Sequence, residues 1–249
     1  VEPLISFIVS RFTKEYAFLF AAFAALFGYF YLKSINILYD KYKERRGNNA
    51  FIFFFFFILI FLITNINGFR MWTAAWIFFY GAYHVILHRK INYFLYTLGA
   101  CFVHWSFLSA NIILIAYFIA GNRNLIYYLL AAVSFILPNL MLPIFTSLSF
   151  GGAAIQNRIS GYTNEQYMME VQDSFQESVW FVTLRNDLIF YFLILVILFI
   201  GIFHRKMMNK KSEKNLYSFL LIFLAFVNFG KSIPSFGNRF QILFILFAT

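Results

Sequence analysis

Two residues that lipid rejects stand at matching places on consecutive apolar runs. Arg70 heads the run 70–87, and His104 belongs to the triplet His104-Trp105-Ser106 that interrupts the run 91–120. Arginine is a permanent planar cation that grips a phosphate through two parallel, charge-assisted hydrogen bonds. Histidine exchanges its proton near neutral pH and can act as general acid or base. Ionisable groups at membrane depth are functional candidates by default. Together they suit a substrate with a doubly anionic head and an apolar tail, such as a polyprenyl-diphosphate lipid. Blander readings stand beside this one. Arg70 could snorkel to lipid phosphates, and His104 could be a satisfied core histidine.

Further candidates come from the same chemistry. Arg239 follows Pro234, Gly237 and Asn238 at an expected helix start, where the dipole disfavours a cation. Arg158 lies in a long polar loop and Arg185 at the corner where that loop meets the next helix; both are secondary candidates. Glu2 is an acid near the chain start. His84 and His88 have the i,i+4 spacing of metal ligands. They stand beside Arg89-Lys90 with no third ligand nearby, so they read as interface anchors. Glu165, Glu170, Asp173 and Glu177 read as a solvated helix face, and lone Cys101 as a small core residue. There is no glycine-rich phosphate loop, zinc cluster or nucleophile elbow, so no metal and no cofactor are expected.

The elements that must position these residues are membrane helices. Of 249 residues, 62% are hydrophobic and 12% charged, with a mean hydropathy of +0.74. Soluble domains are nearer half apolar and a quarter charged, and apolar runs of about 18 residues signal transmembrane helices. The expected fold is all-α: a polytopic integral membrane protein of eight to nine membrane helices, one transmembrane domain over 1–249. Residues 1–15 are too short to span and read as an interfacial outer segment. Helices are expected over 16–38, 50–66, 70–87, 125–145, 188–203 and 216–229, with a last one from 240 and a long outer loop over 149–180. Ala21, Ala24, Ala25 and Gly28 form a small-residue pattern that permits close helix packing. The phenylalanines of 51–57 read as lipid-facing bulk. The chain starts without methionine and stops inside an apolar run, as a fragment lacking both ends would.

Charge decides the topology. If 91–120 crosses once, the basic corners after 38 and after 203 face opposite sides and the positive-inside bias vanishes. If it breaks at His104-Trp105-Ser106 into two short helices, the corners 41–46, 89–90, 123 and 205–214 share one side. They then hold 12 of the 20 lysines and arginines with three acids, against seven basic residues and seven acids outside. The positive-inside rule selects the broken helix. It also puts Trp72, Trp76, Trp105 and Trp180 in the outer half, where an aromatic belt would lie. Half-helices at membrane depth line protein or a wet cavity. The net charge of +10 is therefore topological and implies no nucleic acid.

At these residues the chain resembles the EpsG family, Wzy-like polysaccharide polymerases of bacterial exopolysaccharide and O-antigen clusters. The resemblance rests on Gly-x-Arg-x-x-x-Ala at 68–74, a basic turn about 20 residues on, and His-x-Ser at 104–106. Glu2-Pro3-Leu4 and Gly237-Asn238-Arg239-Phe240 resemble two further segments of the family. It implies transfer of a growing glycan from one undecaprenyl-diphosphate carrier to the sugar of another, outside the bacterial inner membrane. Carried onto this chain, it implies catalytic roles for His104 and Glu2 and diphosphate binding by Arg70 and Arg239. A flippase and a chain-length regulator are the implied partners. A lipid-linked-glycan flippase and a membrane O-acyltransferase, with Asn111 as the histidine's neighbour, stay as rivals.

Overall fold

The computed structural model describes residues 4–44, 55, 57–58, 68–138, 164, 166, 169–170, 180–203, 208 and 210–249. Among these, no strand occurs and nine α-helices do: α1 Leu4–Phe12, α2 Tyr16–Glu44, α3 Phe69–His88, α4 Phe94–Val103, α5 Phe107–Ala120, α6 Asn124–Ile136, α7 Trp180–Phe203, α8 Lys211–Phe229 and α9 Pro234–Ala248. A 3-10 turn, Ile91–Tyr93, leads into α4. Two stretches, Tyr16–Lys41 and Leu184–Phe203, are long and apolar enough to cross a membrane. Nearly all of the expected helix 50–66 and most of the loop 149–180 lie outside the described residues. The chain divides into two compact units, Val1–Phe118 and Ile119–Thr249.

In the first unit α2 and α3 run parallel. Phe23 meets Phe69, Tyr31 meets Trp76 and Phe30 meets Tyr80, at ring separations of 4.9, 4.9 and 5.7 Å. α4 packs antiparallel on α3, with Tyr80 against Tyr93 and Tyr96. Gly81 permits the approach: a Cβ there would lie 2.7 Å from Thr97 Cγ2 and 2.9 Å from the Tyr93 carbonyl.

In the second unit the pairs Asn122–Asn215, Asn124–Ser218 and Ser134–Asn228 keep a nearly constant offset, so α6 and α8 are parallel. α9 returns antiparallel along α8, with Phe219 on Phe247 and Phe226 on Phe236. α7 runs parallel to α9: the Gln241 amide donates to Asp187 at 2.9 Å, and Phe190 meets Phe244 at 5.4 Å. Tyr217 bonds Tyr128 and the Ile197 carbonyl, which ties α6, α7 and α8 together.

Several boundaries move, each for a local reason. α2 continues to Glu44 instead of stopping at 38, because Lys41, Lys43 and Glu44 are good helix formers once the apolar run ends. α6 ends at Ile136, not 145, because the residue before Pro138 is driven out of helical geometry; Leu137 has φ −122° and ψ 59°. α9 starts at Pro234, not 240, since proline's fixed φ and missing N–H suit a first helical turn. α7 begins at Trp180, so Arg185 is inside a helix rather than at a corner.

Rings, not small residues, make the core. Ala21, Ala24 and Ala25 are exposed and Gly28 has no neighbour within 4 Å. The packed face of α2 is Phe23, Phe27, Tyr31 and Ser34. Of the described phenylalanines of the run 51–57, Phe55 is exposed as expected while Phe57 is buried, and Trp76 is 1% exposed, a core residue rather than part of a belt. Large rings remove more surface per contact than alanine can. Apolar side chains also take the outside: Leu188, Phe192, Leu195 and Ile202 form a stripe along α7, each more than 60% exposed. Soluble monomers rarely present a continuous apolar face of this size.

Candidate functional site: a histidine-tipped hairpin and a cationic helix end

The run 91–120 turns back on itself. The rings of Phe94 and Phe118 meet at 5.3 Å, and the Asn111 amide donates to the Thr97 carbonyl at 2.7 Å. These pairs match an antiparallel hairpin of α4 and α5 with residues 104–106 at its tip. Ten and fourteen helical residues reach only about 15 and 21 Å, short of a hydrocarbon core about 30 Å thick. The expected break at His104-Trp105-Ser106 is therefore present. It is closed at the base by Arg89, which adopts φ 55° to cap α3. The Arg89 guanidinium donates to the Phe118 carbonyl at 3.0 Å, at the negative end of α5.

His104 ends α4. Its N–H still bonds the Ala100 carbonyl, but its own backbone is extended, φ −147° and ψ 116°. Ser106, which the sequence offered only as part of the triplet, is buried with its hydroxyl 2.7 Å from His104 Nδ1. That contact orients the imidazole and ties one ring nitrogen to a hydroxyl. Asn111 also bonds the Phe107 carbonyl at 2.9 Å and Cys101 Sγ at 3.3 Å. It clasps the hairpin through Nδ2, while its Oδ1 is buried with no hydrogen-bond partner among the described residues.

Register places Arg70 near this tip. Gly81 lies against Thr97, so His104 falls level with about residue 74, four residues or about 6 Å along α3 from Arg70. Arg70 is exposed, with its guanidinium over Phe69 at 5.8 Å. The opposite end of this unit holds the basic corners. Lys41 sits over Tyr83, Lys90 over Tyr93, and Arg89 closes the hairpin base.

The second unit repeats the polarity. Arg123 and Lys210 to Lys214 gather where Asn122 bonds Asn215. At the other end, the offset of α7 and α9 sets Arg185 and Arg239 at one level. Both are the sixth residue of their helices. Arg239 is thus in the second turn of α9 and not at its start, beyond the reach of the dipole penalty. Its neighbour Gly237 lets the preceding turn pack closely, since a Cβ there would lie 2.9 Å from Lys231 Cα. Phe240 is buried among Phe223, Phe226 and Phe236. Lys231 lies over Phe190 at 4.6 Å, and Arg185 donates to the side-chain Oδ1 of Asn186 at 3.1 Å. Lys231, Asp187 and Gln241 carry no motif; the last two are 54 positions apart, and only the packing of α7 on α9 joins them.

Glu2 and Arg158 lie outside the described residues, as do Glu165, Asp173 and Glu177. Glu170 is helical, exposed and bonded by Gln166 at 3.2 Å. His84 and His88 sit 5.6 Å apart in an aromatic cluster with Tyr80, Tyr83 and Tyr93. Among the described residues no three His, Cys, Asp or Glu are placed to hold a metal.

Apolar helices with ring-rich cores, exposed apolar outer faces and a histidine-tipped hairpin fit a membrane protein. The chain belongs to the EpsG family, whose model matches residues 3–249. Membership points to a membrane protein of polysaccharide biosynthesis. No curated protein and no solved structure matches the chain.

Proposed function

We propose that this protein is a polytopic, multi-pass enzyme of the bacterial inner membrane. It polymerises undecaprenyl-diphosphate-linked oligosaccharide repeat units for exopolysaccharide, capsule or O-antigen. Glycosyl transfer takes place on the extracytoplasmic side. The observation that carries this reading is the hairpin, whose tip holds His104 at the Arg70 end of the first unit, away from the basic corners. By the positive-inside rule the basic ends are cytoplasmic, so Arg70 and His104, and likewise Arg185 and Arg239, face outside.

In the reaction an acceptor hydroxyl oxygen attacks the anomeric carbon of the donor glycan. The bond from that carbon to the carrier diphosphate breaks, and the diphosphate leaves with the electron pair. Arg70 and Arg239 neutralise the diphosphate before and during its departure, the largest electrostatic contribution available here. His104 or Glu2 orients the acceptor hydroxyl and takes its proton. Arg158 and Arg185 assist binding. A flippase and a chain-length regulator act as neighbours in the same process.

The test is polymer length on purified protein supplied with lipid-linked repeat units. Arg70→Ala and Arg239→Ala should each cut chain growth about 10²- to 10³-fold, and His104→Ala about 10²- to 10⁴-fold, with membrane insertion unchanged. Normal polymer from all three variants rejects the assignment. Movement of the lipid without chain growth identifies a flippase instead. An O-acyltransferase is disfavoured because its histidine usually has an Asn or Asp close by, and Asn111, the close candidate here, commits its Nδ2 to the hairpin.

A further inference from the structure

We propose that the basic end of the first unit carries a seat for the headgroup of an anionic phospholipid, built from Lys33, Lys90 and the hydroxyls of Tyr29, Tyr80, Tyr93 and Tyr96. The seat lies on the face opposite His104, and the proposal does not depend on the polymerase reading.

Lys33 raises the question. It sits within the apolar stretch Tyr16–Lys41, eight residues or about 12 Å short of Lys41. A lysine at that depth is costly unless partnered. Its partners are tyrosines: the Tyr29 hydroxyl shares a hydrogen bond with it, Nζ lies 4.8 Å from the Tyr29 ring and 5.3 Å from the Tyr80 ring, and Tyr80 and Tyr93 bond each other. Tyr96 and Tyr93 close on Tyr80 at 5.2 and 5.8 Å, and Lys90 covers Tyr93 at 5.7 Å. Four phenols and two ammonium groups thus converge where α2, α3 and the start of α4 meet.

Charge there is one-sided. α2 contributes Lys33, Lys41 and the exposed acid Asp40; α3 contributes His84 and His88; the following corner contributes Arg89 and Lys90. Arg89 is turned to the Phe118 carbonyl. His84 Nδ1, in the same cluster, is buried with no hydrogen-bond partner among the described residues. Lysines with hydroxyl donors in excess over acid match a phosphate, which accepts hydrogen bonds and carries the opposite charge.

The surroundings select a lipid. Tyr29 and Tyr96 are 53% and 39% exposed, so the seat opens outward from α2 and α4. Leu32 and Leu95, adjoining Lys33 and Tyr96, are 59% and 74% exposed. A ligand whose phosphate meets Lys33 must lay apolar substance on these leucines, as an acyl chain does. Clusters of basic residues at a membrane's inner surface attract anionic lipid at about fivefold in affinity per cation.

The experiment uses the full chain in nanodiscs of phosphatidylcholine with or without phosphatidylglycerol, reading retained lipid by native mass spectrometry. The wild-type chain should keep phosphatidylglycerol in preference to phosphatidylcholine. Lys33→Met and Lys90→Gln should each weaken that retention about fivefold. Tyr96→Phe, which removes one oxygen and keeps the packing, should weaken it about threefold. Equal retention of both lipids by the wild type overturns the proposal. So does an undiminished preference in both Lys33→Met and Tyr96→Phe. Displacement of phosphatidylglycerol by an equimolar short polyprenyl phosphate also overturns it, by giving the seat to the carrier lipid. Polymer synthesis is not read in this experiment, so its outcome is separate from that of the polymerase assay.

Discussion

A histidine held through Nδ1 by a buried serine is oriented before any substrate arrives. Ser106→Ala should therefore lower chain growth less than His104→Ala does, while Ser106→Thr, which keeps the hydroxyl, restores it. A serine that only fills space would give equal activity for Ala and Thr at matched protein levels, measured as polymer formed per unit of enzyme. At this scale the sequence was readable where a polar type interrupts an apolar run, as His104 does. It was not readable where a role depends on a through-space neighbour. Arg89 showed this most sharply. Its type announced a cytoplasmic corner, but its left-handed backbone and its bond to Phe118 make it the latch of the hairpin base. Glutamine at that position would keep a donor and lose the charge, whereas alanine loses both.

The hairpin of α4 and α5 is held by few contacts, and each has a predictable cost. Asn111→Leu keeps the volume but leaves the buried Thr97 carbonyl without its amide, so it should destabilise the protein by about 1–3 kcal/mol. Gly81→Val should cost about 1–3 kcal/mol by driving α3 from α4, where the Thr97 side chain and the Tyr93 carbonyl already fill the space. Thermal unfolding in detergent checks both, and an unchanged midpoint for Asn111→Leu would show that the clasp is not needed. Element types and the break were legible because apolar run length and polar interruptions are local signals. Element ends were not, since Lys41 to Glu44 prolong a helix that hydropathy alone would end, and Pro234 starts one before hydropathy rises. The small-residue face of α2 misled for a different reason: small residues allow close packing, but the larger area of Phe23, Phe27 and Tyr31 decides which face is buried.

Among the described residues, each unit gathers lysines and arginines at one end and sets a sparser group of cations at the other. Charge counting over the corners anticipated this, because loop charge is read directly from sequence. The pairing of Asp187 with Gln241 was beyond reach, since separation along the chain carries no information about α7 and α9 lying side by side. Single cysteines placed at 92 and 122 in a Cys101→Ser background should be labelled from the same face of intact vesicles, and cysteines at 68 and 238 from the opposite face. Opposite labelling of 92 and 122 would mean that 91–120 crosses once and the hairpin does not form in the bilayer. The hairpin also bears on how the chain is made. A 30-residue apolar stretch emerging from the ribosome offers the insertion machinery an ordinary single crossing, with nothing in its greasiness to ask for a turn. In the proposed topology Arg89, Asn111 and the polar tip would set the direction in which the chain after residue 120 is threaded, and a defect in them would yield an inverted protein rather than a merely loosened one.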